Sequence, residues 1–201
     1  MIYTGVDWFS ELKKEVFRLM DERLSSGLFY HNKDHTSRVI DAVQWLCDAE
    51  SISGRDRYLL NIAALFHDIG FIESYENHEE KSCQIARHLL SNHDFPEVEI
   101  RAICELILST KIPHNPKNHL EQIICDADLN YLGEKDFYAI GEQLRKELIR
   151  YQKIGTDAKS WNQQQLNFLE THTFFTDTSK VQREPVKQKF LDQIKAKLHK
   201  S

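Results

Sequence analysis

A chain of 201 residues, 41% hydrophobic and 28% charged, is long enough to bury one good core, or a core with an extension. Its 26 basic and 31 acidic residues leave a net charge of −5. That excludes a basic nucleic-acid footprint, though not a phosphorylated small molecule, since a bound metal supplies positive charge locally.

Trp8 to Leu24 reads as an amphipathic helix and Ser25-Ser26-Gly27 ends it. A second helix is expected from an Asn32 or Asp34 cap to about Ala49. After a break at Ser53-Gly54 comes Leu59 to Phe66, apolar almost all round and therefore expected at the centre of the core. This helix runs into His67-Asp68-Ile69-Gly70, where Gly70 is expected to act as its C-cap. Phe71 to Asn77 reads as a loop, Glu79 to Leu90 and Glu97 to Thr110 as helices, and Ile112 to Asn118 as a loop with two prolines. Leu120 to Leu132 is expected as one helix closed by Gly133, followed by helices over Phe137 to Ile154 and Trp161 to Glu170. Thr171 to Pro185 reads as loosely structured, and Val186 to Leu198 as a final helix. No strand, Gly-rich phosphate loop or internal repeat is found, so the fold class expected is all-α. One helical domain is expected over 1–155, with C-terminal helices over 156–201 packed on it as an extension.

The first residues carry no basic leader and no stretch is long and apolar enough to span a membrane, so neither signal peptide nor membrane association is expected. Cys47, Cys83, Cys104 and Cys125 are widely spread in apolar helical contexts, which points to buried reduced thiols and a cytoplasmic location. The ten histidines are the compositional oddity.

His67 and Asp68 stand at the end of the most apolar helix. A carboxylate buried there costs several kcal/mol without a partner, and a metal ion is one partner that removes the cost. His31 and His35, four residues apart at a helix start, can point into one cavity. Asp126 and Asp128 lie in the apolar run Ile123 to Leu132, where at most one is expected to face the core and the other to face solvent. A His, an adjacent His-Asp and an Asp make a mixed nitrogen and oxygen set without thiolate. Such a set suits Mn, Fe, Co, Ni or Zn, with Mg also admitted. Lys111 is a candidate to hold a substrate phosphate as a point charge.

His35, His67-Asp68 and Asp128 within Ala127-Asp128-Leu129 follow the order H…HD…D, and the chain resembles the HD-domain metal-dependent phosphohydrolase superfamily. Tyr30-His31-Asn32-x-x-His35 is similar to the first motif of cyclic-nucleotide phosphodiesterases, though Phe71 stands where that pattern has a further His. The stretch from Arg145 through Trp161 and His172 to Glu184 resembles the C-terminal part of an uncharacterised bacterial subgroup of predicted HD phosphohydrolases. The resemblance implies an all-α HD bundle with His35, His67, Asp68 and Asp128 as metal ligands. It makes Asp128 the ligand of its pair and His31 the catalytic proton donor to the leaving oxygen. Because some HD proteins bind two metals, it also raises His114, and after it His78 with Glu79, as further ligands. The implied activity is hydrolysis of a phosphoester of a small phosphorylated molecule, nucleotides included, through a metal-activated water. The alternatives are a non-haem di-iron oxygenase on the same scaffold and a metal-stabilised binding module without turnover.

Overall fold

The computed structural model describes residues 6–199. The reading of the chain start as free of a basic leader rests largely on residues outside that range. Among the described residues there are ten α-helices, two 3-10 turns and no strand. They form two compact units. One takes the chain up to Ser26 and then His31–Asp128; the other takes Gly27–Tyr30 and the chain from Leu129 onward.

The first unit holds α1 (Val6–Arg23), α2 (Lys33–Ala49), α3 (Gly54–Phe66), α4 (His78–Asn92), α5 (Glu97–Ser109) and α6 (His119–Asp128). As its composition requires, α3 is the hub: Leu60, Ile62, Ala63, Ala64, Leu65 and Phe66 are all buried, and α2, α5 and α6 pack against it. Its neighbours are amphipathic, with Val39, Ile40 and Val43 of α2 and Ile100, Ile103 and Ile107 of α5 turned inward. A reciprocal cap starts α6. Asn118 Oδ1 accepts from the Glu121 amide at 3.0 Å, while the Glu121 carboxylate accepts from the Lys117 amide and the Asn118 side chain at 2.6 and 2.8 Å.

The second unit holds α7 (Phe137–Arg150), α8 (Ala158–Thr171), α9 (Asp177–Gln182) and α10 (Glu184–Leu198) around Leu132, Phe137, Leu169, Leu191 and Ile194. The expected division at 155 and 156 therefore falls inside this unit. Burial of Leu129, Leu132 and Phe137 with Leu191 and Ile194 joins α7 to the C-terminal helices. The stretch from 171 to 185, expected to be loose, contains α9. Thr176 caps it, accepting from the Ser179 amide at 3.2 Å, and Pro185 stands in the first turn of α10.

Two helix ends also differ from expectation, and both carry the site. Helix α3 stops at Phe66, and Gly70 lies inside a 3-10 turn over Ile69–Ile72 rather than capping α3. Gly70 is needed for contact: a Cβ there would stand 1.9 Å from the His78 carbonyl oxygen, so only glycine lets α4 dock on the turn. The expected helix over 120–132 breaks after Asp128 into a second 3-10 turn, Asn130–Gly133. All four cysteines are free and buried. Burial pushes the Cys47 thiol up to about 11 and the Cys125 thiol up to about 12, so both are inert thiols at neutral pH. Among the described residues no helix is long and apolar enough to cross a membrane.

Candidate metal centre

Three helix ends supply the donor atoms. At the start of α2, Asn32 Oδ1 accepts from the Asp34 and His35 amides at 2.9 and 3.3 Å, which fixes His35 in the first turn with its ring buried. His67 directly follows α3, and its Nδ1 is 2.8 Å from the Ala64 carbonyl oxygen. Nδ1–H donates there, so Nε2 presents its lone pair to the cluster, and the second contact of the ring sets the tautomer of the first. Asp68 begins the turn after α3, and Asp128 is the last residue of α6.

These four side chains converge. His35 Nε2 and His67 Nε2 are 3.2 Å apart. Asp68 Oδ2 lies 3.3 Å from the first and 3.1 Å from the second. Asp128 Oδ1 lies 3.1 and 3.5 Å from them. Two ring nitrogens facing each other at this distance accommodate at most one proton between them. Asp68 Oδ2 is buried and, despite its neighbours, accepts no well-aligned hydrogen bond. Donors each about 2.1 Å from one ion stand roughly 3 Å apart, which is the spacing of this set. The residues therefore fit a divalent metal: His35, His67 and Asp128 form a group able to hold one, and the orphaned oxygen of Asp68 adjoins it.

Electrostatics agree. Burial opposes protonation of His35 and His67, but the Asp128 and Asp68 carboxylates beside them outweigh it and raise both imidazoles, His67 strongly. Burial likewise opposes ionisation of Asp68 and Asp128, but the two imidazoles outweigh it and hold both carboxyls below the usual range. Protons and a divalent ion thus compete for the same nitrogens.

A second layer positions this one. Ser82 Oγ donates to the His67 carbonyl oxygen at 2.7 Å and accepts from the Gly70 amide at 2.8 Å, tying α4 to the turn that carries Asp68. Docking of α4 brings His78 Nε2 to 3.5 Å from Asp68 Oδ1 and 3.5 Å from Glu79 Oε1. His31 lies just outside α2, its ring centroid 5.9 Å from that of His35.

Two expected site residues are otherwise engaged. His114 Nε2 is 3.9 Å from Asp128 Oδ2 but 3.1 Å from the Thr110 carbonyl oxygen, so this nitrogen is turned to a carbonyl and does not complete the cluster. Lys111 is largely exposed and its amine is held by Glu80 at 2.6 Å, so it is not free for an anion. Asp126, expected to face solvent if Asp128 faces the core, is fully buried instead. Ser82 was not foreseen. Its sequence signal is weak, because a serine on a helix face announces nothing until the helix docks.

Residues 32–129 match the family model of the HD domain, a stretch that begins at the α2 cap and ends one residue after Asp128. This stretch of the chain is an HD domain. No curated protein and no solved structure matches the chain.

Proposed function

We propose that the protein is a metal-dependent phosphohydrolase acting on a small phosphorylated molecule, nucleotides included. The observation that carries this reading is the convergence of His35, His67, Asp68 and Asp128 with the Asp68 Oδ2 atom buried and orphaned, inside an HD domain. These four residues would hold the ion. When bound, it supplies Lewis-acid polarisation of a phosphoryl oxygen and a nucleophilic water near neutral pH.

The chain's own groups do the rest. His67 keeps its ring plane and tautomer through the Ala64 carbonyl, so its Nε2 lone pair stays aimed at the cluster. His31, beside His35 yet outside the ligand set, is the group assigned to protonate the leaving oxygen. Lys111 is given no role, since Glu80 holds it. Four buried thiols support a cytoplasmic setting for the enzyme.

The test is metal analysis of the purified full chain, then a phosphoester and nucleotide screen with Mn, Co, Ni and Mg. A bound ion with turnover of one substrate class supports the reading. A bound ion with no hydrolysis across the panel favours a binding module, and no bound ion ends the metal reading. A second reading rests on His78, whose approach to the outer oxygen of Asp68 adds a nitrogen beyond the first set. Two irons per chain with oxygen consumption would favour a di-iron oxygenase.

A further inference from the structure

Phe71 has no polar atom, yet its ring is stacked on two imidazoles. The His31 ring lies 4.3 Å away at an interplanar angle of 24°, and the His78 ring 4.0 Å away at 20°. The two imidazoles are 6.1 Å from each other. Both imidazoles therefore pack against the one Phe71 ring. Tyr75 packs steeply inclined to the Phe71 ring, at 5.3 Å and 73°. Phe71 itself is buried, so its faces serve these imidazoles and not a ligand.

An imidazole hinges on a broad two-fold torsion, so what packs on it helps to set its ring plane. A flat apolar surface restrains that torsion while leaving the nitrogens at the ring edge free. From this arrangement we infer that Phe71 is a positioning residue. Its ring packs on both His31 and His78 and so sets their ring planes together. The inference rests on the phosphohydrolase reading for its effect on turnover, but its structural content stands apart from it. The chain reaches the arrangement by local means. Phe71 sits in the 3-10 turn that begins after Asp68, His78 starts the helix that Gly70 allows to dock, and His31 directly precedes the Asn32 cap.

The test compares Phe71→Leu, which keeps apolar bulk and loses the flat face, with Phe71→Tyr, which keeps the ring. Both are made in the metal-loaded full chain. Phe71→Leu is expected to retain its bound metal and its KM and to lose kcat by about 10–100-fold on an alkyl phosphoester, the scale of a misplaced catalytic group. Phe71→Tyr should restore most of that loss. Independently of any substrate, the ring-proton NMR signals of His31 and His78 should both move downfield in Phe71→Leu and return in Phe71→Tyr, because the shielding face has gone and come back. If Phe71→Leu does not fold, Phe71→Met is read in its place. Unmoved signals, or a tyrosine variant as slow as the leucine variant, overturn the inference. If the native protein binds metal but hydrolyses nothing, the activity reading fails and the NMR comparison alone decides for or against Phe71.

Discussion

In the second unit, two buried charges are answered by the protein itself. Lys187 is buried on α10 and donates to the His172 carbonyl oxygen at 2.5 Å, with Glu184 at 2.9 Å. Glu147 is buried on α7 and accepts from the Tyr30 amide at 2.8 Å, fastening the 27–30 segment. In the HD unit the buried charges face one another across a point where two nitrogen lone pairs and two carboxylates meet and one oxygen is left over. Burial alone therefore does not mark a functional residue, since Glu147 is as buried as His67. What marks it is a donor set that the protein's own groups cannot satisfy.

The largest effect that would break this contrast is loss of the ion. His67→Ala or Asp68→Ala should remove bound metal and lower activity by several kcal/mol of transition-state stabilisation, on the order of 10³-fold or more. Melting temperature should fall as well, because an ion at about 100 times its Kd contributes about 2.7 kcal/mol by linkage. Unchanged metal content and melting temperature in both variants would show that the cluster is only a buried ion network like that around Lys187.

Next in size is His31→Ala. It should keep the metal and lose about 10²–10⁴-fold in turnover of substrates with poor leaving groups, with far less loss on nitrophenyl esters. Metal loss in this variant would make His31 a ligand. Full activity on an alkyl phosphoester would leave it a structural neighbour.

The counterpart in the second unit is Lys187→Met. The variant removes the ammonium that donates to the His172 carbonyl, and a hydrogen bond from a charged group contributes about 1.5–3 kcal/mol. For a chain of this size that is a fall in melting temperature of about 2–4 °C per kcal/mol. Metal stoichiometry should not change. A stoichiometry that fell with Lys187→Met would erase the distinction between the units.

The helical class and the central place of α3 were legible in the sequence because apolar periodicity reports burial directly. The convergence of His35, His67, Asp68 and Asp128 was implied by the resemblance to the order H…HD…D, which also chose Asp128 over Asp126. What was illegible depended on how elements dock. Gly70 looks like a C-cap until the His78 carbonyl is seen against it. Asp126 looks solvent-facing because two residues apart on a helix point in different directions, yet Asp126 is fully buried while Asp128 keeps 13% of its side chain exposed. The break after Asp128 was hidden because Leu129 and Leu132 continue the apolar pattern while belonging to the core of the second unit, with Phe137, Leu191 and Ile194.

The pH dependence separates the units without mutation. In chelator-treated protein the facing His35–His67 pair is raised above 6.5, so the contribution of the proton they hold between them is full below that value and lost as pH rises through the raised value. Asp68 and Asp128 are lowered below 3.8, so theirs is present above it and lost as pH falls through their lowered values. Stability of the stripped protein should peak between these limits. The gain on adding metal should grow with rising pH, since binding displaces imidazole protons. Melting curves of stripped and reloaded protein across this range check both trends, and a metal-induced gain that is flat with pH would contradict them.

The smallest effect gives the sharpest comparison, because it applies one chemical change to both units. Asn32 caps α2 and Thr176 caps α9, each through a side-chain oxygen accepting backbone N–H groups. Replacing either by alanine removes an N-cap and should cost about 1 kcal/mol. The consequences should differ by position. Asn32 accepts from the amide of His35 itself, so Asn32→Ala loosens the turn that holds the His35 ring. Metal affinity should drop by up to about 10-fold, the low end of what losing a ligand-orienting contact costs. Thr176 accepts from the Ser179 amide in the second unit, where the cap supports only α9 and its packing. Thr176→Ala should therefore match Asn32→Ala in lost stability while leaving metal affinity as it was. Metal titrations of the two variants decide the matter. Equal affinities would mean that the α2 cap supports its helix without positioning His35, and that the ligand is held by packing against α3 and α6 alone.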